Sequence, residues 1–200
     1  MLRQTLQVFS YLKIRYPSGH HKNTLYYLPL FISILLSSSA TWLMVNVEDG
    51  NYLSSDRFGD LFTLLAILPG FYIASLSAIS AINRKAIDKE INSGNVPYII
   101  KQEINRMETY QQKLTRRVYL TMLFAYLSAV SLILAIILIV IRFIFSFEIT
   151  ENFFHVPDIF SFPVLVFFLV NALIFFYIVQ LFLLTLIGIN YLGYKALVDE

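Results

Sequence analysis

Few side chains in this sequence have the types and spacing for catalysis or metal binding. The histidines are His20, His21 and His155, the last three residues before Asp158, and an acidic group, Glu48, Asp49, Asp56 and Asp60, lies between two apolar stretches. Four carboxylates could hold a divalent cation, but neither this group nor the His155–Asp158 pair has a recognised ligand spacing. Solvated loops account for them more simply, and an interfacial pair accounts for His20-His21. With no cysteine there are no disulfides, thiolate metal sites or thiol nucleophiles. No HExxH, phosphate-binding P-loop or dinucleotide glycine pattern occurs. These absences point to a non-enzymatic chain without metal or cofactor.

The elements that would carry such groups are apolar. Windows 23–47, 61–83, 118–141 and 159–194 contain no Asp, Glu, Lys or Arg. Each exceeds the roughly 18–20 apolar residues needed to cross a bilayer. The expected fold is all-α and polytopic. Transmembrane helices are predicted at 25–45, 61–82, 118–141 and 163–192, with outer loops at 46–60 and 142–162. Ser38-Ser39-Ala40 looks like a signal-peptide cleavage site, but a long polar stretch precedes the run and the apolar residues continue through it, so the segment reads as a retained helix. Ionisable residues inside membranes mark relays, ion paths and substrate sites. None lies within these spans, which argues against a proton-coupled transporter or an intramembrane hydrolase.

Charge sets the orientation. The N-terminal segment 1–24, the central loop 83–117 and the tail 193–200 hold 13 of the 15 basic residues, leaving only Arg57 and Arg142 in the other loops. Lys and Arg are retained in the cytoplasm during insertion. Both termini and the central loop are therefore expected in the cytoplasm, and Tyr26, Tyr27, Trp42, Tyr119, Tyr191 and Tyr194 at the headgroup level. A net charge of only +2 gives no reason to expect direct nucleic-acid binding.

Residues 2–16 read as a basic amphipathic helix whose apolar stripe is Leu2, Leu6, Phe9, Leu12 and Tyr16, with Val8 and Ile14 outside it. Arg3, Lys13 and Arg15 would meet lipid headgroups if the helix lies on the membrane. The alternative is packing against the protein's own cytoplasmic end. The central loop reads as a helical hairpin. One arm continues the second span through Ile87 and Ile91. The other begins at Pro97 and carries a stripe of Ile100, Ile104, Met107, Gln111 and Leu114. The short arm, sister copies or a cytosolic partner could cover that stripe. Candidate docking residues are Ile100, Lys101, Ile104, Arg106, Met107, Lys113 and Leu114. Arg116 and Arg117 are expected mainly as headgroup anchors.

Within the bilayer, three stripes of small residues recur every four positions: Ser33, Ser37 and Thr41; Gly70, Ala74 and Ala78; Thr121, Ala125 and Ala129. Such stripes let helices approach closely, and lining a narrow pore is the functional alternative. Phe167, Phe168, Phe175, Phe176 and Phe182 suit a lipid-facing perimeter on the fourth span. Asn171 and Gln180, on roughly opposite faces, would bond to partners, one of them across a subunit boundary.

The basic opening Met1-Leu2-Arg3-Gln4-Thr5, the four spans, and the run Ser77-Ala78-Ile79-Ser80-Ala81-Ile82-Asn83-Arg84-Lys85 entering a long cytoplasmic loop resemble the small membrane subunits of the Kiwa bacterial anti-phage defence system. The resemblance implies a homo-oligomeric inner-membrane protein that responds to phage infection beside a separate cytosolic, DNA-binding subunit. The residues themselves suggest a sensor or scaffold with a cytoplasmic docking face. A pore-forming effector is the competing reading, and a membrane enzyme ranks last.

Overall fold

A computed structural model describes residues 6–17, 20–47, 53, 58–83, 85–91, 96–102, 109–145 and 161–192. It is mostly helical. Four long helices, α1 (His20–Asn46), α2 (Phe58–Ala81), α3 (Arg116–Phe145) and α4 (Phe162–Asn190), form around the charge-free windows, with Lys22, Asp60, Arg116, Arg117 and Arg142 confined to their ends. Their apolar stretches Leu25–Asn46, Phe58–Ala81, Arg116–Ile144 and Phe162–Asn190 are each long and apolar enough to cross a membrane. Outward-facing Tyr27, Phe31, Trp42, Ile67, Ile136 and Leu169 would be untenable in water at this density and suit lipid. Hydroxyls on the exposed helix faces are satisfied locally. Ser38, Ser77 and Thr121 donate to the carbonyls of Ile34, Ile73 and Arg117, four residues back.

The chain divides into two compact units: residues 26–69 with 130–182, and residues 1–25, 70–129 and 183–200. In the first, α1 buries one face made of Pro29, Ser33, Ser37 and Ala40. Ser37 donates to the Phe168 carbonyl of α4 at 2.7 Å, an interhelical bond made possible by the small face. Ser33 and Thr41 bond to carbonyls of their own helix. Asn171 and Gln180 are both buried within the single chain, and Asn171 donates to the Phe167 carbonyl. Burial of both amides in one chain removes the reason to reserve one for a subunit boundary. Phe167 is likewise fully buried and so does not face lipid as expected, whereas Phe182 is exposed.

In the second unit, Tyr72 of α2 and Thr185 of α4 share a hydrogen bond at 2.6 Å, beside the ring of Phe124 on α3. Gly188 lets α4 lie against that ring: a Cβ there would stand 2.8 Å from Phe124 Cζ. The α2 stripe departs from expectation. Gly70, Ala74 and Ala78 are exposed, and a Cβ on Gly70 would meet nothing within 4 Å. Among the described residues, this stripe is left uncovered. Of the four spans, α3 is the most buried, 44% of its best window against 22–28% for the others.

The loop between α2 and α3 overturns the helical-hairpin expectation. After a short 3-10 helix, Lys85–Asp88, strands β1 (Tyr98–Gln102) and β2 (Thr109–Lys113) pair antiparallel, with Tyr98 opposite Lys113 and Gln102 opposite Thr109. Tyr98, Ile99 and Ile100 directly follow Pro97, and Thr109-Tyr110 opens β2. These β-branched and aromatic residues favour extended backbone. The four- and three-residue spacing of apolar positions was compatible with helix but did not require it. Ile104, Arg106 and Met107 lie outside the described residues.

The N-terminal segment is also rewritten. Leu6–Lys13 is a 3-10 helix, with three residues per turn. Positions three apart then share a face, and the inward row is Val8, Tyr11 and Ile14; Tyr11 and Ile14 are buried while Leu6 and Leu12 are exposed. The expected stripe is split: Phe9 and Tyr16 pack inward against Tyr126 and Tyr119, whereas Leu6 and Leu12 are exposed and Ile14, placed outside it, is buried. Leu2 and Arg3 lie outside the described residues.

Candidate docking surface on the loop between α2 and α3

Backbone bonds fix the base of the β-hairpin. Arg15 and Tyr98 exchange two hydrogen bonds, each 2.9 Å. The Leu114 N–H donates to the Pro97 carbonyl, and the Arg116 N–H donates to the Lys89 carbonyl, beside a bridge between Glu90 and Thr115. Four chain segments thus lie side by side in the order Lys89–Glu90, Leu114–Thr115, Pro97–Tyr98 and Arg15. This rung ties together the chain entering α1, the chain leaving α2 and the chain entering α3. Beyond it, β1 and β2 continue as a pair.

Side chains reinforce the rung. Arg117 gathers the end of α2, donating to the carbonyls of Ile79 (3.0 Å) and Ile82 (2.8 Å) and to both carboxylate oxygens of Asp88 (2.7 and 3.2 Å). Carbonyls at a helix C-terminus have no intrahelical donors, and a guanidinium fork supplies them. The Arg117 bond in turn holds the Asp88 carboxyl below its ordinary range. Lys113 and Glu90 form a second ion pair at 3.4 Å.

An aromatic cluster lies beneath. Tyr11 stacks on Tyr126 with centroids 5.4 Å apart and tilts against Tyr119 at 6.1 Å. Phe9 meets the edge of Tyr126, and Tyr119 meets Tyr191 at 5.3 Å. The Tyr16 hydroxyl donates to that of Tyr119 at 3.2 Å. Burial, with Tyr119 beside it, pushes the Tyr16 hydroxyl well above its usual value. Tyr119 and Tyr191, expected as headgroup markers, are packed against each other. No pattern read from the sequence joined these rings, although Tyr119 and Tyr126 stand seven residues apart on one helix face.

The candidate docking residues separate. Ile100, Lys101 and Lys113 are exposed, and every residue of β2 is exposed. Leu114 is 2% exposed and is buried in its own unit, so it offers nothing to a partner. The anchors separate too. Lys13 and Arg15 are exposed, with Arg15 held through its backbone. Arg116 is 5% exposed, and Arg117 serves as the clamp just described. Neither is a free headgroup anchor. Elsewhere, the Arg142 guanidinium lies beside Gly59 at ordinary contact distance, 3.5 Å from where a Cβ would stand.

Among the described residues, no group of three or more His, Cys, Asp or Glu side chains is placed to hold a metal ion. Asp60 is exposed at the start of α2; Glu48, Asp49, Asp56, His155 and Asp158 lie outside the described residues. The arrangement offers an anchored hairpin on which every residue of β2, and Ile100 and Lys101 of β1, are exposed.

No family model, curated protein or solved structure matches the chain.

Proposed function

We propose that this chain is a non-enzymatic sensor or scaffold subunit of a bacterial membrane complex, which oligomerises in the inner membrane and docks a cytosolic protein through the loop between α2 and α3. The observation that carries the reading is the hairpin beyond the rung. Its base is bonded to segments belonging to three membrane helices, while Ile100, Lys101, Tyr110 and Lys113 stay exposed. A projection tied to several spans is suited to holding a partner and to passing its movement to the helices.

The orientation with both termini and this loop in the cytoplasm is part of the proposal, and the retention of basic segments supports it. The likeness to Kiwa membrane subunits supplies the biological setting: anti-phage defence, with a DNA-binding cytosolic subunit as the docked protein and nucleic acid contacted only by that partner. Membrane lipids and further copies of the chain are the other partners.

The test is co-purification with the product of the adjacent gene. Wild-type membranes should retain it, and Lys101→Glu, Arg106→Glu and Lys113→Glu together should release most of it. Undiminished retention by the triple variant would refute docking through this loop. A pore-forming effector has one observation in its favour, the exposed Gly70-Ala74-Ala78 ridge, which could pack or line an assembly of copies. Steady conductance of the purified chain in planar bilayers would favour that reading over the scaffold.

A further inference from the structure

The free edge of β2 has a definite hydrogen-bonding pattern. Tyr98 turns its N–H and C=O toward Arg15, so across the hairpin Tyr98 and Lys113 form a non-bonded pair. Leu114 turns toward Pro97. Alternation along the strand then directs Gln112 and Tyr110 toward β1, and Lys113, Gln111 and Thr109 toward the outer edge. The outward row ends at Lys113: past it the Arg116 N–H donates to the Lys89 carbonyl beside the Glu90–Thr115 bridge, so the Lys89–Glu90 segment lies along that side of the chain leaving β2. Among the described residues, no backbone group bonds to the outward groups of Thr109, Gln111 and Lys113.

Open edges are ordinarily guarded by charge, lysine above all. Here Lys113 is the only charged residue of β2, and Glu90 neutralises it at 3.4 Å. A two-stranded hairpin exposed on both faces is marginal by itself, and further strands stabilise it.

The strand is complementary to itself. Two copies of β2 placed antiparallel about Gln111 set Gln111 against Gln111, Tyr110 against Gln112 and Thr109 against Lys113. Every outward N–H and C=O of the three residues is bonded in that register, and no like charges face each other. Registers centred on Tyr110 or Gln112 satisfy fewer of these groups. We propose that the occupant of this edge is β2 of a second copy, joining two hairpins into a four-stranded antiparallel sheet. This rests on the reading of the chain as self-associating and gives that association its contact. Two copies inserted alike in one bilayer are related by an axis along the membrane normal, and the β2–β2 two-fold runs perpendicular to the sheet. The joined sheet therefore lies parallel to the membrane surface. Membrane confinement aids the pairing by raising the effective concentration of the copies.

The absence of cysteine makes the test direct, since any introduced thiol is the sole one on its chain. Residues of a bonded antiparallel pair stand about 5.5 Å apart at Cα, within disulfide range. In native membranes under mild oxidation, Gln111→Cys should give a covalent dimer by itself. Thr109→Cys and Lys113→Cys should each stay monomeric alone and cross-link when co-expressed. Gln111→Pro removes an outward N–H without touching a β1–β2 bond, and should abolish the Thr109→Cys/Lys113→Cys product when carried on both chains. Gln111→Val should leave that product unchanged. If none of the cysteine variants cross-links as stated while detergent-solubilised protein still sizes as an oligomer, strand pairing is wrong and self-association stands by another contact. If the full chain is monomeric by both measures, the underlying reading fails with it.

Discussion

Two glycines that look alike in the sequence make opposite demands on their surroundings. Gly188 faces the Phe124 ring at a distance no Cβ tolerates, and Gly70 faces open space. Gly188→Ala should therefore destabilise the detergent-solubilised protein by about 1–3 kcal/mol through overpacking, seen as a lowered thermal midpoint. Gly70→Ala should leave the midpoint unchanged or slightly raised, since alanine is the better helix former. Asp88 offers a second residue-scale prediction. Its folded carboxyl lies below the unfolded value of about 3.9 because Arg117 bonds the ionised form. The stabilisation is fully present above that unfolded value and is lost as pH falls through the lower folded one. Hydrogen exchange of the Lys85–Asp88 backbone should quicken specifically below about pH 4, and Asp88→Asn should show fast exchange already at neutral pH. Slow, pH-independent exchange in Asp88→Asn would mean that the clamp contributes little.

At the scale of elements, contacts with segments remote in sequence decide which side chains turn inward. In the segment Leu6–Lys13 and just after it, Tyr11 and Ile14 are the buried positions, while Leu6 and Leu12 of the expected stripe are exposed. Tyr11→Ala should cost about 3 kcal/mol, because it removes the ring stacked between Tyr119 and Tyr126. Leu12→Ala should be nearly neutral, and equal losses from the two would contradict the inward placement of Tyr11 beside exposed Leu12. The same lesson applies to the loop between α2 and α3. Ile87, Ile91 and Ile100 were legible as apolar positions needing cover, and Ile87 and Ile91 are indeed buried. The conformation was not legible. A stripe at three- and four-residue spacing fits a helix, whereas the strands are fixed by backbone bonds to Arg15 and Lys89, remote in sequence. Long apolar helices need no such partners, since each satisfies its own backbone. That is why α1 to α4 could be read directly and the β-hairpin could not. The tyrosine cluster and the Arg117 clamp were hidden for the same reason: both join residues from separate segments, and in each case one residue alone reads as an ordinary interface marker.

For the whole molecule, the sequence divides chemistry between two environments. The charge-free middles of the helices carry the apolar surface, and most basic residues gather in the segments 1–24, 83–117 and 193–200. The rung at Arg15, Tyr98, Thr115 and Glu90 joins the first two of these. A scaffold that works from this surface needs the hairpin for recruitment but not for crossing the membrane. The most direct measurement is therefore the location, in living cells, of a fluorescent fusion of the adjacent gene's product. With the wild-type chain it should outline the cell periphery. With residues 98–113 replaced by a short Gly-Ser turn, and membrane insertion of the chain verified, it should become diffuse in the cytoplasm. Continued peripheral localisation with the hairpin removed would contradict the proposed docking function.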